Sequence, residues 1–302
     1  MIVTALLSFA FVFCLLYGLI PLPALLAICS SLSVLLAWVS RHGHSETLSQ
    51  DVLAQISRLK DVNAGLKTVA VLALMVTGIA SRNAYTGIFL MLAMALVAVG
   101  VGGISLHHYI YALALPISFL LIGGLALLFE ARPDQAGVIS INVFDWFWLS
   151  VSREAQAATA LVVSRAMGAV SCLCFLGMTT PMPDIIAVLR AARCPDLIID
   201  LMYLIYRYIF ILLGMHHEMY EAAKSRSGMR DYKSSIRSTG LIYSNLLARS
   251  HRLASTNFDA MESRCFDTGI RFLASQKPVT APQACVAAVL FASAIVLALL
   301  PI

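Results

Sequence analysis

Charge is what this chain has least of. Asp, Glu, Lys and Arg make up only 12% of its 302 residues, against about 25% in an average soluble protein. Hydrophobic residues make up 60%, and the mean hydropathy is +0.86. That balance excludes an ordinary soluble globule and places the chain in a membrane. The usual catalytic signatures are also missing. There is no Walker A loop, so the chain holds no ATP of its own, and there is no His-Glu-x-x-His helix or Gly-x-Ser-x-Gly turn. Acidic residues inside the apolar runs are few, which argues against a proton-coupled carrier and an intramembrane protease. The seven cysteines (Cys14, Cys29, Cys172, Cys174, Cys194, Cys265 and Cys285) form no Cys-x-x-Cys pair and read as small buried hydrophobes. No basic stretch precedes the apolar N-terminal run, so it reads as a retained membrane helix rather than a signal peptide.

The apolar runs set out an all-α, multi-spanning protein, because a crossing helix needs about 20 apolar residues. Residues 1–40 read as an extra N-terminal hairpin broken at Pro21 and Pro23. Residues 41–178 form the main transmembrane region, with spans expected near 66–81, 84–104, 108–129 and 156–178. Residues 280–302 hold a last span. No strand pattern is expected. The 21 Lys and Arg are unevenly placed, with thirteen between Arg190 and Lys277. That is the positive-inside signature of a large cytoplasmic segment, and it disfavours nucleic acid, which would need a basic face on a soluble domain. Residues 130–155 carry Glu130, Asp134, Asp145 and Glu154 with Trp146-Phe147-Trp148, and are expected outside. The localisation that follows is a cell membrane, crossed several times.

Residues 179–279 are the distinctive part. Thr180-Pro181-Met182-Pro183-Asp184 and Pro195-Asp196 are helix-start signals. A helix is expected from Leu197 to about Arg226, apolar in its first half and charged in its second. A serine-rich hinge is expected over Gly228–Gly240, then a second helix to about Cys265 with an apolar stripe of Ala254, Phe258, Met261 and Cys265. Each helix ends on an arginine between small residues: Ser225-Arg226-Ser227 and Ser263-Arg264-Cys265. Arg165 lies near the middle of an apolar run, where charge is costly unless it faces protein or water. An internal ion pair and a subunit interface are equally good readings of it. The histidines His42, His44, His107, His108, His216, His217 and His251 do not converge with carboxylates or thiolates, so no metal site is expected. Met215 and Met219 read as packing residues.

Taken in order, these segments resemble the transmembrane T component of energy-coupling-factor (ECF) transporters, in the CbiQ-like cobalt/nickel branch. Asp61-Val62-Asn63-Ala64-Gly65-Leu66-Lys67 is similar to that family's opening Asp-Pro-Arg-x-x-Lys. Ser152-Arg153-Glu154 with the helix carrying Arg165, the run Leu176–Asp184, and Tyr206-Arg207-Tyr208 follow in the family's sequence. The two arginine motifs come last and read Ala-Arg-Gly in the family. Here both glycines are replaced, by Ser227 and Cys265, which leaves open how each helix ends. Residues 1–40 fall outside the resemblance.

The resemblance implies a non-enzymatic coupling subunit of a cobalt importer, with nickel or vitamin uptake as alternatives. It implies partners too: a pair of cytosolic ABC-type ATPases, which bind the ATP, and a small membrane subunit that captures the substrate. It also implies that Arg226 and Arg264, with their small neighbours, dock on the ATPases. Two rival classes remain at this stage, a membrane-embedded lipid-modifying enzyme and a stand-alone carrier.

Overall fold

A computed structural model describes residues 2–17, 29–30, 50–132, 139–143, 147–266 and 278–299. Most of the second arm of the expected N-terminal hairpin, His42, His44, Asp134, Asp145, Trp146 and residues 267–277 lie outside them. Two compact units emerge: Met1–Pro181 together with Gln276–Ile302, and Met182–Ser275.

The first unit is a helical bundle. Helix α1 (Ile2–Leu16) is followed by a short α2 (Gln50–Ile56) and a 3-10 turn (Arg58–Asp61). Then come α3 (Ala64–Ala80), α4 (Ala84–Leu96, continued by a π turn over Val97–Val101), α5 (Leu106–Leu128), α6 (Arg153–Thr179) and α10 (Ala281–Leu299). Their starts are capped as the sequence dictates. The Asn63 side-chain oxygen accepts from the Leu66 N–H at 3.1 Å, and Ser152 Oγ accepts from the Ala155 N–H at 3.1 Å, each satisfying an orphan donor of a first turn. Pro116 interrupts α5, which bends by 42° there because proline removes a helical donor and clashes with the preceding turn.

Hydrogen bonds fix the two ends of this bundle. At one end Lys67 Nζ, in the first turns of α3, donates to the carbonyls of Leu59 (2.7 Å) and Thr179 (2.9 Å), and the Arg58 N–H donates to Gly102 O (3.2 Å). At the other end Asn83 Nδ2 donates to Leu297 O (3.2 Å) and Arg165 Nε to Ser81 O (2.8 Å). Helices α3 and α10 therefore run in one direction, and α4 and α6 run in the other. Because Arg165 is near the middle of α6, the first half of α6 rises past the α3–α4 turn. There it packs on α1 and α5: Gln156 Nε2 donates to Cys14 O (2.9 Å) and Tyr17 O (3.1 Å).

The closest crossing is between α4 and α6. A Cβ added at Gly87 would lie 2.0 Å from Ser164 O, and one at Gly168 3.0 Å from Gly87 Cα. Ser164 Oγ also donates to Ala84 O. Small residues let the two backbones meet, as in membrane helix pairs generally. Around this seam Val71, Leu74, Leu90, Met94, Tyr109, Leu113, Phe175 and Met178 form the buried core.

The architecture is that of an all-α membrane protein, with one departure. Residues expected to lack strands form a small antiparallel sheet, β1 (Glu130–Arg132), β2 (Ile139–Val143) and β3 (Phe147–Val151), in the order β1-β3-β2. Ile139, Ile141 and Val143 alternate with Ser140 and Asn142, a period-2 strand signal that the longer apolar helices on either side overshadow. Among the described residues four helices are long and apolar enough to cross a membrane (α4 with its π turn, α6, α8 and α10), or five with the bent α5. Helix α3, at seventeen residues, is about 25 Å long, a little short of a typical hydrocarbon core.

The second unit holds α7 (Met182–Ala191), α8 (Asp196–Ser225) and α9 (Tyr232–Glu262). Arg190 on α7 pairs with Asp200 on α8 at 3.4 Å. Helix α9 runs back along α8. The His216 ring meets Tyr220 and Tyr243 at 6.3 and 5.7 Å between centroids, and Tyr208 and Leu212 line a groove with Leu247, Ser250, Leu253 and Ala254. The expected hinge is shorter than the serine content implied. Helix α9 begins at Tyr232, and Ser234, Ser235, Ser238 and Gly240 all lie inside it.

Candidate functional site

A helix ends where a residue turns the chain out of the right-handed spiral, and that residue usually adopts positive φ. Among the described residues the non-glycine residues with positive φ are Arg193 (61°), Ser227 (56°) and Cys265 (55°). Each one terminates a helix of the second unit. At the end of α8 the Gly228 N–H donates to Ala223 O (2.9 Å) and the Ser227 N–H to Lys224 O (3.0 Å). At the end of α9 the Phe266 N–H donates to Met261 O (3.1 Å) and the Cys265 N–H to Glu262 O (2.9 Å). Helix α7 closes in the same way, through Cys194 N–H to Leu189 O (3.2 Å) and Arg193 N–H to Arg190 O (3.1 Å). These paired bonds are Schellman motifs, which satisfy the last orphan carbonyls.

The question left by the missing glycines is thereby answered. Ser227 and Cys265 stand at the left-handed position, and the arginine before each one is the capping residue. Arg226 and Arg264 are thus held in equivalent settings, both exposed. Ser225 closes α8 with its hydroxyl donating to Glu221 O (2.8 Å), and Ser263 Oγ donates to Ala260 O (3.0 Å). Both serine hydroxyls are spent on their own helix, which leaves the arginine as the exposed polar side chain of each motif. A guanidinium there brings a fixed charge and a fork of donors suited to carboxylates and carbonyls. Bulky apolar groups stand nearby and exposed: Tyr232 (85%) after Arg226, and Phe258 (68%) and Phe266 by Arg264.

The fold does not bring the two arginines together. The length of α9, about 45 Å at 1.5 Å per residue, separates them. The turn between α8 and α9 is held rigidly. Ser234 Oγ and Ser238 Oγ both donate to Gly228 O, at 3.0 and 2.9 Å. A Cβ at Gly228 would fall 2.8 Å from Ser238 Oγ and 2.9 Å from Ala223 O, so only glycine permits this closure. Sequence reading missed this lock, although the clustered serines after Gly228 were its signal. The apolar stripe on α9 is largely turned outward: Ala254, Phe258 and Cys265 are exposed, and Met261 is half-buried. The packed stripe is Ile242, Leu246, Ser250, Leu253, Asn257 and Met261.

Arg165 is half-buried, and its described contact is the Ser81 carbonyl at the C-terminus of α3. A cation there complements the negative end of the helix dipole. Met215 and Met219 are half-buried in the second unit, and His217 is exposed. Among the described residues no group of three His, Cys, Asp or Glu could hold a metal ion.

Similarity to known proteins shows the kinship of the chain. A family model described as CbiQ, cobalt transport protein, matches residues 55–276. The chain is 29% identical over 241 residues to a fused cobalt transport protein, CbiMQ, of Methanocorpusculum labreanum. That alignment covers 80% of this chain and 40% of the relative, so the chain spans well under half of that fused protein. It is 28% identical to an uncharacterized protein of Methanocaldococcus jannaschii, over 74% of this chain and 82% of that one. It is also 28% identical to the cobalt transport protein CbiQ of Salmonella typhimurium, over 51% of this chain and 70% of that one. The family match takes in α3 to α6 of the bundle and the whole arginine-capped second unit, and the chain belongs to the CbiQ family of cobalt transport proteins.

Proposed function

We infer that this chain is the energy-coupling permease subunit of an ATP-driven cobalt importer of the ECF type. In this reading the second unit is cytoplasmic. Arg226 and Arg264 each dock on one of two ABC-type ATPases, and the bundle engages a small membrane subunit that captures the metal. ATP is bound by the ATPases, and this chain passes on their motion in the cell membrane without catalysing a reaction itself. The observation that carries the reading is the repeated geometry of the two helix ends: the same cap, the same exposed arginine, and a separation of about 45 Å that suits two partners better than one. Bivalent attachment would raise avidity well above that of either end alone. The names of the relatives support cobalt as the cargo. The fused relative, of which this chain spans 40%, leaves room for a second component on one polypeptide.

The test is a co-purification and uptake assay on the assembled complex. Arg226→Glu or Arg264→Glu should lower cobalt uptake at least tenfold, because a docking cation becomes an anion. The double variant should no longer retain the ATPases in mild detergent. Uptake at the wild-type level by the double variant would end the docking assignment.

A further inference from the structure

The chain passes from the bundle into the second unit at Pro181–Met182. The three residues just before that passage are among the most enclosed in the protein: Met178 (0%), Thr179 (0%) and Thr180 (2%). The last turn of α6 is thus held in place, and the group that holds it is a cation. Lys67 is 7% exposed. Its Nζ donates to Thr179 O at the C-terminus of α6 and to Leu59 O of the 3-10 turn. The position is a poor one for a positive charge by local criteria, since Lys67 lies in the first turns of α3, near the positive end of that helix's dipole. An apolar side chain would suit its burial better. What the ammonium gains is the orphan carbonyl of Thr179 and the negative end of the α6 dipole. The 3-10 turn is itself held from elsewhere: Ser57 Oγ and the Arg58 N–H both donate to Gly102 O, at 3.3 and 3.2 Å. One ammonium therefore joins α3, the α6 terminus and, through the 3-10 turn, the α4–α5 connection.

We propose that Lys67 is a positioning residue for energy coupling: it clamps the root from which the arginine-bearing unit departs, so that motion of that unit is delivered to the bundle rather than lost in fraying of the α6 terminus. The proposal rests on the coupling reading above. Lys67 acts through two backbone carbonyls and touches neither ATP nor metal.

Two measurements test it on the full complex. In proteoliposomes, Lys67→Met should leave the ATPases bound and ATP hydrolysis within about twofold of wild type while cobalt uptake falls at least tenfold. Lys67→Arg, which keeps a cationic donor, should recover a substantial part of the uptake. In detergent, amide exchange at Thr179 and Thr180 should speed up at least tenfold in Lys67→Met, with the middle of α6 unchanged. Uptake and hydrolysis falling together in proportion, or an intact uptake-to-hydrolysis ratio, would overturn the clamp as a coupling element. Unchanged exchange at the α6 terminus would overturn the clamp itself, and that arm holds even for a Met variant that assembles poorly. Failure of the wild-type chain to retain any ATPase would instead defeat the coupling reading, and the exchange result would still stand.

Discussion

A left-handed residue with a side chain carries a steric penalty of roughly 1–2 kcal/mol, because its Cβ crowds the following carbonyl. Ser227 and Cys265 both carry it, with φ of 56° and 55°, at positions where a glycine would not. Glycine loses more chain entropy on folding, about 0.5–1 kcal/mol, which offsets part of the gain. Ser227→Gly and Cys265→Gly should therefore each stabilise their helix end by about 0.5–1 kcal/mol. The readout is amide exchange at Gly228 and Phe266, whose N–H groups close the two caps, and it should slow severalfold. Ser227→Val should act in the opposite direction, because a β-branched residue is the worst fit for positive φ. Faster exchange in the glycine variants would show that the caps are held by something other than the left-handed turn. The arginine motifs themselves were legible in the sequence as a repeat. Their cap geometry was not, because with the glycines replaced nothing in the residue types signals positive φ.

Among the elements, the α4–α6 seam is the contact least able to give way. Its nearest neighbours across the interface are backbone atoms. A Cβ at Gly87 would lie 2.0 Å from Ser164 O and 2.4 Å from Ser164 C, so Gly87→Ala must push two helices apart. Overpacking costs about 1–3 kcal/mol even where side chains can move, and here the loss should be at or above that range. Gly123→Ala on α5 is the matched control, since nothing lies within 4 Å of its added Cβ, and alanine there should be neutral or favourable by up to about 1 kcal/mol. Thermal unfolding in detergent should show a clear drop for the first and none for the second. Equal melting of both variants would mean that the seam is looser than its geometry. The sequence made the helices of this bundle readable because a bilayer demands long apolar runs, and α4, α6 and α10 fall close to the runs expected. It made the serine-rich turn misleading. Serines after a helix end ordinarily favour irregular backbone, but Ser234 and Ser238 spend their hydroxyls on Gly228 O and α9 proceeds through them. The small sheet was missed for a different reason, since its strands are only three to five residues long.

For the whole molecule the hardest element to place is α8. Its thirty residues make a rod of about 45 Å, and its apolar window satisfies the length and composition of a crossing helix. Leu197, Leu201, Ile205, Phe210 and Leu213 are all exposed. Composition alone would thus send α8 through the membrane and put its two ends on opposite sides. Charge argues against that. Arg190 and Arg193 precede α8, and Lys224, Arg226 and Arg230 close or follow it, so neither end resembles an outer flank. The ends of the bundle helices argue the same way. The chain leaves α6 at the Lys67 end. It returns into α10, whose last turn is tied to Asn83 at the opposite end, so α10 also begins at the Lys67 end. Both connections therefore leave from the same end of the bundle, and a chain that exits and re-enters at one end cannot have α8 as its single crossing. We expect cysteines introduced at Arg193 and Lys233, in an otherwise cysteine-free chain, to resist a membrane-impermeant thiol reagent in sealed cells and to react after permeabilisation. A cysteine at Ser140, in β2, should react in sealed cells. Labelling of only one of the Arg193 and Lys233 positions from outside would show α8 to be a span. Labelling of both would invert the whole topology, and in either case the ATPase-docking role of Arg226 and Arg264 could not stand as drawn.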